Sequence, residues 1–228
     1  MSAADPAPPD VIAVDGPAAS GKSTVSRRVA EALGRLYVDS GALYRAVTWK
    51  ALSAGIDPTD GEAVAALAGR MSPEFFTDGA AVRFRVDGIV LDRELRTEAI
   101  NRNVSPVAAT ERVRRSVVAW LRRTPAFGPL VMEGRDIGTA VFPDARHKFY
   151  LDASPEERAR RRHAEMVAQG DGLSVDQVGR SIGNRDRIDS GRKTAPLKTA
   201  PDAVVIDSTG LTIEQAVHCI VARVAGAP

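Results

Sequence analysis

The clearest chemistry in the chain lies in Gly16-Pro17-Ala18-Ala19-Ser20-Gly21-Lys22-Ser23, which fits the spacing G-x-x-x-x-G-K-[ST] and is followed by Thr24. Backbone N–H groups must converge on phosphate oxygens in such a loop, and Gly16 and Gly21 permit that path. Lys22 adds a point charge at the β and γ phosphates of a nucleoside triphosphate, and the Ser23 hydroxyl suits Mg²⁺. A helix starting near Lys22 would add unpaired N–H groups and a positive dipole end.

Further chemistry-bearing strings follow. Asp39-Ser40-Gly41-Ala42-Leu43-Tyr44-Arg45 sets Tyr44 and Arg45 one helical turn after Ser40, able to face an anion. Glu133-Gly134-Arg135-Asp136 offers an Arg–Asp pair that could hold a phosphate and order a metal-bound water. Arg158, Arg160, Arg161 and Arg162 crowd one helix; Arg158, Arg161 and Arg162 share a face at i, i+3 and i+4, as in a basic lid. Arg185, Asp189 and Arg192 recur at four and three residues, one stripe if helical, able to bind a sugar hydroxyl and a phosphate. For each of these four strings a structural role, as cap, ion pair or solvated face, is the competing reading.

The elements that must carry these groups alternate. Val11–Val14 reads as a buried strand, Val25, Val29, Ala32 and Leu33 as a helix stopped by Gly34, and Leu36–Val38 as a second strand. A helix is expected from about Ala42 to Ala54. Strands are expected at Leu130–Met132, Phe149–Leu151 and Val204–Ile206. Helical stripes run through Val113, Val117, Trp120 and Leu121, and through Ile213, Val217, Ile220, Val221 and Val224. This implies an α/β fold with a parallel sheet of about five strands. In such a sheet the ligand crevice lies at the carboxyl ends of strands, where the strings above fall.

One stretch breaks the rhythm. Val82, Phe84 and Val86 alternate with Arg83 and Arg85, and Asp87-Gly88 is a hairpin signal. Residues 61–104 therefore read as an insertion with short antiparallel strands, and residues 158–173 as a lid ending in the turn Gln169-Gly170-Asp171-Gly172. Residues 1–10 read as a disordered tail and 11–227 as a single domain.

Composition narrows the classes. The chain has 228 residues and a formal net charge of +2, too balanced for bulk attraction to nucleic acid or a membrane. One cysteine, Cys219, excludes an intramolecular disulfide framework, and three scattered histidines do not make a metal site. No apolar run approaches the ~20 residues of a membrane span, so a cytoplasmic protein is expected. Lysines number only five (Lys22, Lys50, Lys148, Lys193 and Lys198), which leaves 26 arginines, the cation suited to bidentate phosphate contacts.

Together G-P-A-A-S-G-K-S-T, D-S-G-A-L-Y-R, E-G-R-D-I-G-T at Glu133–Thr139, V-F-P-D-A at Val141–Ala145, and R-x-x-x-D-x-x-R at Arg185–Arg192 before A-P-L strongly resemble the bacterial cytidylate kinases. The likeness runs in order from about Val11 to Val224. It implies a P-loop nucleoside monophosphate kinase fold, helices on both sheet faces, a small antiparallel insertion and a short lid. It implies ATP and CMP or dCMP as substrates, Mg²⁺ with the ATP, no nucleic-acid or membrane partner, and a monomer. By resemblance, Ser40, Arg45, Arg135 and Arg192 hold the acceptor phosphate. Ser105 and Arg114 match cytosine-reading positions, Arg185 and Asp189 lie near base and ribose, and Arg158 and Arg162 are lid arginines that act with Lys22 and Arg135 in catalysis. Tyr44 and Asp136 complete the acceptor set. The alternatives are another small kinase acting on UMP, AMP or an alcohol, a non-enzymatic nucleotide switch, or an arginine-rich RNA binder.

Overall fold

The computed structural model describes residues 10–168, 170 and 172–226. The expected tail thus lies outside the described residues except for Asp10. That residue is tied to the body by its carbonyl, which accepts from Leu130 N, and by its carboxylate on Arg35.

The chain runs β1 (Val11–Asp15), α1 (Lys22–Ala32), β2 (Leu36–Asp39), α2 (Ser40–Ser53), α3 (Gly61–Arg70), β3 (Glu74–Asp78), β4 (Ala81–Val86) and β5 (Ile89–Val90). After a 3₁₀ turn at Arg93–Arg96 come α4 (Glu98–Ala109), α5 (Glu111–Leu121), β6 (Leu130–Gly134) and a π-helical turn at Ile137–Val141. The rest is β7 (His147–Asp152), α6 (Pro155–Ala168), α7 (Val175–Gly191), β8 (Val204–Asp207) and α8 (Ile213–Val224). The sheet order is β3-β4-β2-β6-β1-β7-β8. The five strands β2, β6, β1, β7 and β8 are parallel, as expected.

The apolar run of β1 is continuous because both its faces are covered. Val11 and Ala13 enter the core beneath α2, α4 and α5, whereas Ile12 and Val14 enter the core beneath α1 and α8. Alternate residues of one strand thus feed two layers. In α8 the buried face centres on Ala216 and Ile220, and Ile213 at the stripe's start is exposed.

The antiparallel insertion is present, and it is joined to the main sheet. Tyr37 of β2 bridges Ala81 of β4 in parallel, so the hairpin lengthens one edge of that sheet. Asp87 and Gly88 both take positive φ, 52° and 76°, the two-residue geometry that matches hairpin twist. Val82, Phe84 and Val86 are buried as their period-two spacing requires. The helix α4 runs through Val104, so the stretch read as ending there continues without a break.

The helix α2 starts at Ser40, two residues earlier than expected, because the Asp39 carboxylate caps it by accepting from Ala42 N at 3.2 Å. This brings Ser40 and Gly41 onto the first turn. Among the described residues no helix is long and apolar enough to cross a membrane.

Candidate active site

Three strands end at one edge of the sheet. There β1 hands over to the loop Gly16–Gly21, β2 to α2, and β6 to Arg135 and Asp136. Gly16 has φ 157°, and a Cβ there would lie 2.1 Å from the Leu151 carbonyl oxygen, so glycine is required by both space and dihedral. Gly21, at φ 89°, turns the loop into α1.

A cavity of about 500 Å³ opens over this edge. Ala18, Ala19, Gly21, Lys22, Ser23 and Thr24 form one wall. Ser40, Tyr44, Arg45, Ser105, Arg135, Asp136, Arg162, Arg185, Asp189 and Arg192 form most of the rest, with Arg27, Arg96, Asp39, Glu133 and Glu165, and with Val104, Ala108 and Ile182 as its apolar part. Chain segments far apart in sequence therefore converge on one space. Gly16, Pro17 and Ser20 belong to the loop but do not line it; Lys22 Nζ donates to Pro17 O at 2.8 Å.

Charge dominates the cavity. Burial and the neighbouring Arg135 push Lys22 down to about 7. Burial, then Arg135 and Arg45, pushes Arg185 down to about 10. Arg45 and Arg192 are also lowered, burial again leading. These shifts share a sense and a first cause: burial disfavours each cation's charged form, and neighbouring like charges add to it.

The adjacent Arg135 and Asp136 do not pair with each other, so the competing reading of a structural ion pair between them does not hold. Arg135 Nε donates to Asp189 at 3.1 Å. Asp136 accepts from Arg114 and, at 3.1 Å, from Arg192 Nη2. Consecutive residues leaving a strand diverge, so each finds a different helix's charge. Arg192 also departs from the expected stripe. The helix α7 ends at Gly191, and Arg192 is its extended C-cap, with Nε donating to Ala195 O at 2.6 Å.

The arginines of α6 divide. Arg162 lines the cavity and pairs with Glu165 at 3.0 Å. Arg158 lies behind the phosphate loop, donating to Ala18 O at 3.0 Å, Ala153 O at 3.1 Å and the Asp186 carboxylate. Arg161 reaches Ser20 O and Ser208 from the same side. The expected single lid face thus splits, because the i+3 and i+4 positions straddle the loop. Gln169 and Asp171 of the expected lid turn lie outside the described residues.

Arg114 stands behind the cavity wall. Its side chain is 2% exposed, Nη1 donates to Ala108 O at 3.2 Å, and its guanidinium lies 5.3 Å from the Tyr44 ring centroid. Arg114 Nε and Tyr44 Oη are buried without partners among the described residues. Ser105 is buried on α4 and lines the cavity. Ser40 Oγ donates to Glu133 O at 2.6 Å, and Arg45 donates to Leu95 O and to Asn101 at 2.6 Å.

Glu133 was not singled out by its sequence position. Its carboxylate accepts from Ser23 Oγ at 2.8 Å and from Tyr37 Oη, and burial followed by the Asp39 charge raises its pKa. The acidic residue at the carboxyl end of a buried strand was the available signal. The Ser23 hydroxyl and the buried Glu133 carboxylate are hard oxygen ligands that fit a divalent cation.

The fold and the cavity define a P-loop phosphotransferase of the small-kinase type, with a donor loop facing a second, cation-walled pocket. The family described as cytidylate kinase matches residues 12–225. The chain is 47% identical over 204 residues to a cytidylate kinase from Geobacillus thermodenitrificans, covering 90% of this chain and 91% of that one. It is 44% identical to one from Geobacter sp. strain M21, covering 90% and 88%, and 46% identical to one from Pelotomaculum thermopropionicum, covering 93% and 95%. The chain belongs to the cytidylate kinase family.

Proposed function

We propose that this protein transfers the γ-phosphoryl group of ATP to CMP, and to dCMP, yielding CDP or dCDP and ADP. The single observation that carries this is the cavity. Lys22 and the phosphate loop face seven lining arginines across about 500 Å³, an arrangement for bringing two phosphate-bearing molecules together.

A phosphomonoester's second pKa is about 6, so the acceptor is mostly a dianion at neutral pH and needs no general base. The barrier is repulsion between anions. Lys22, Arg135 and Arg162 counter it by stabilising charge on the transferring group and holding the reactants in line. Arg158 supports the same loop from behind. Ser40, Arg45, Arg185 and Arg192 take the acceptor's phosphate and sugar with Asp189. Ser23 and Glu133 are the residues that would hold Mg²⁺ arriving with ATP, and it would supply charge neutralisation for the transferring phosphoryl group.

For the base, Ser105 and Asp136 offer oxygen acceptors for the cytosine N4 amino group, and Tyr44 forms an apolar wall. Arg114, held on Asp136 behind this wall, is the donor proposed for N3 or O2 once the base enters and the wall opens to its unpartnered Nε. A donor-only arginine opposes the N3–H of uracil. Two mismatched buried groups at about 1–3 kcal/mol each give roughly 10²-fold discrimination or more. The test is kcat/KM for CMP and UMP in the parent and in Arg114→Met. A strong parental preference, reduced in the variant, is expected. Equal use of both by the parent, or full preference in the variant, refutes this reading.

A further inference from the structure

The helix α7 faces two ways. Arg185 and Asp189 line the cavity on the acceptor side. Asp186, between them in sequence, lies outside that lining and reaches the donor loop from behind. Its Oδ1 accepts from Ala18 N at 2.9 Å, and its Oδ2 accepts from Arg158 Nη1. Arg158 Nη1 in turn donates to Ala18 O at 3.0 Å. Both polar groups of the Ala18 backbone are thereby held by one ion pair, and neither faces water. Apolar contact reinforces it: Ala18 packs on Val178 and Ile182 of α7, with Ala19 and Met166 alongside.

We propose that Asp186 is a positioning residue for ATP: with Arg158 it fixes the apex of the phosphate loop so that the N–H groups from Ala19 onward converge on the donor phosphates. The inference rests on the functional reading above, because it assigns the loop to ATP. Asp186 touches no substrate. Its effect comes from removing alternatives open to the loop. Ala19, next to the clamped residue, holds φ 60°, a conformation that a non-glycine residue keeps only when its neighbours enforce it. Fixing that geometry before ATP arrives lowers the ordering cost of binding. Because Asp186 shares its helix with Arg185 and Asp189, the donor loop and the acceptor pocket are built on one rigid element.

The test uses the full chain with Asp186→Ala and Asp186→Asn. A non-hydrolysable ATP analogue is titrated without acceptor, and KM values for ATP and CMP are measured separately. Loss of hydrogen bonds to a charged group predicts about tenfold weaker analogue binding in the alanine variant, with the KM for ATP rising in step. The KM for CMP should move less than about threefold. Asparagine keeps an acceptor for Ala18 N but loses the charge facing Arg158, so a smaller weakening, about threefold or more, is expected. It carries the test alone if the alanine variant does not fold. Parental analogue affinity in the asparagine variant, or ATP and CMP KM values rising together, overturns the proposal. CMP phosphorylation by the parent tests the functional reading, whereas the acceptor-free titration tests the clamp, so either can fail alone.

Discussion

Replacing Asp136 by alanine should be among the most damaging single changes in the protein. Its carboxylate is 5% exposed and lies between two guanidiniums, Arg114 and Arg192, each 2% exposed. Removing one partner of a buried ion pair costs roughly 3–5 kcal/mol, because the charge left behind has neither water nor counterion. Here two charges are left, although Arg192 keeps a contact at 3.8 Å to Asp189 and its bond to Ala195 O. The loss belongs at the upper part of that range. For a chain of this size it corresponds to roughly 8–20 °C in Tm. The assay is denaturant unfolding of Asp136→Ala, Arg114→Met and the double variant. Removing Arg114 as well deletes one uncompensated charge, so the double variant should be more stable than Asp136→Ala alone. Additive losses, or a loss below about 1 kcal/mol for Asp136→Ala, would refute the argument that buried, unpaired charge sets the cost.

Arg45→Ala should raise the KM for CMP by about 10-fold or more while leaving ATP binding near the parental value, since Arg45 is proposed to meet only the acceptor phosphate; separate titrations of both substrates check this, and an effect on ATP alone overturns it. Asp15 should titrate anomalously. Burial raises it from the ordinary 3.8 to about 6, although the Ile137 and Gly138 amides, each 2.8 Å away, favour its charge. Because the folded pKa exceeds the unfolded one, its contribution to stability is fully present below about 4 and is lost as pH rises through about 6; carboxyl NMR should give a midpoint near 6, and a midpoint below 4 is incompatible with this account.

What was legible in the sequence is what local rules govern. The phosphate loop is contiguous, and its glycines are demanded by dihedrals a few residues can reveal. The strand Val82–Val86 shows its buried face by alternation, and Asp87-Gly88 announces its own turn. What stayed hidden depends on long-range encounters. Arg135 and Asp136 look like a pair because they are adjacent, yet their partners are 54 and 22 residues away. Asp186 meets Ala18 across 168 residues, and Tyr37 meets Glu133 across 96, distances at which spacing carries no information. The arginines of α6 were legible as a helical set but not as two sets, because helical periodicity gives angles about an axis and says nothing of what stands opposite. The end of α7 was equally opaque: Arg192 lies at i+3 from Asp189 whether or not the helix reaches it.

The same electrostatics explains why an anion, in preference to a neutral molecule, belongs in the acceptor pocket. Arg185 is held down first by burial and then by the like charges of Arg135, Arg45 and Arg162, with Asp189 opposing. Arg45 is held down by burial, with Asp39 opposing and Arg96, Arg162 and Arg135 adding to the shift. Burial leads in both cases, the neighbouring cations add to it, and the acids Asp39 and Asp189 offset only part of it. A phosphate dianion relieves it at several guanidiniums at once, so part of its binding energy is the repulsion it ends. An alcohol acceptor stays neutral until attack and would enter the same pocket without relieving that repulsion. It would gain hydrogen bonds to groups that remain mutually repelled. On the proposed reading, the buried cations favour a phosphate-bearing acceptor before any contact with the base, and the groups around Asp136 are proposed as a second, separate filter for cytosine.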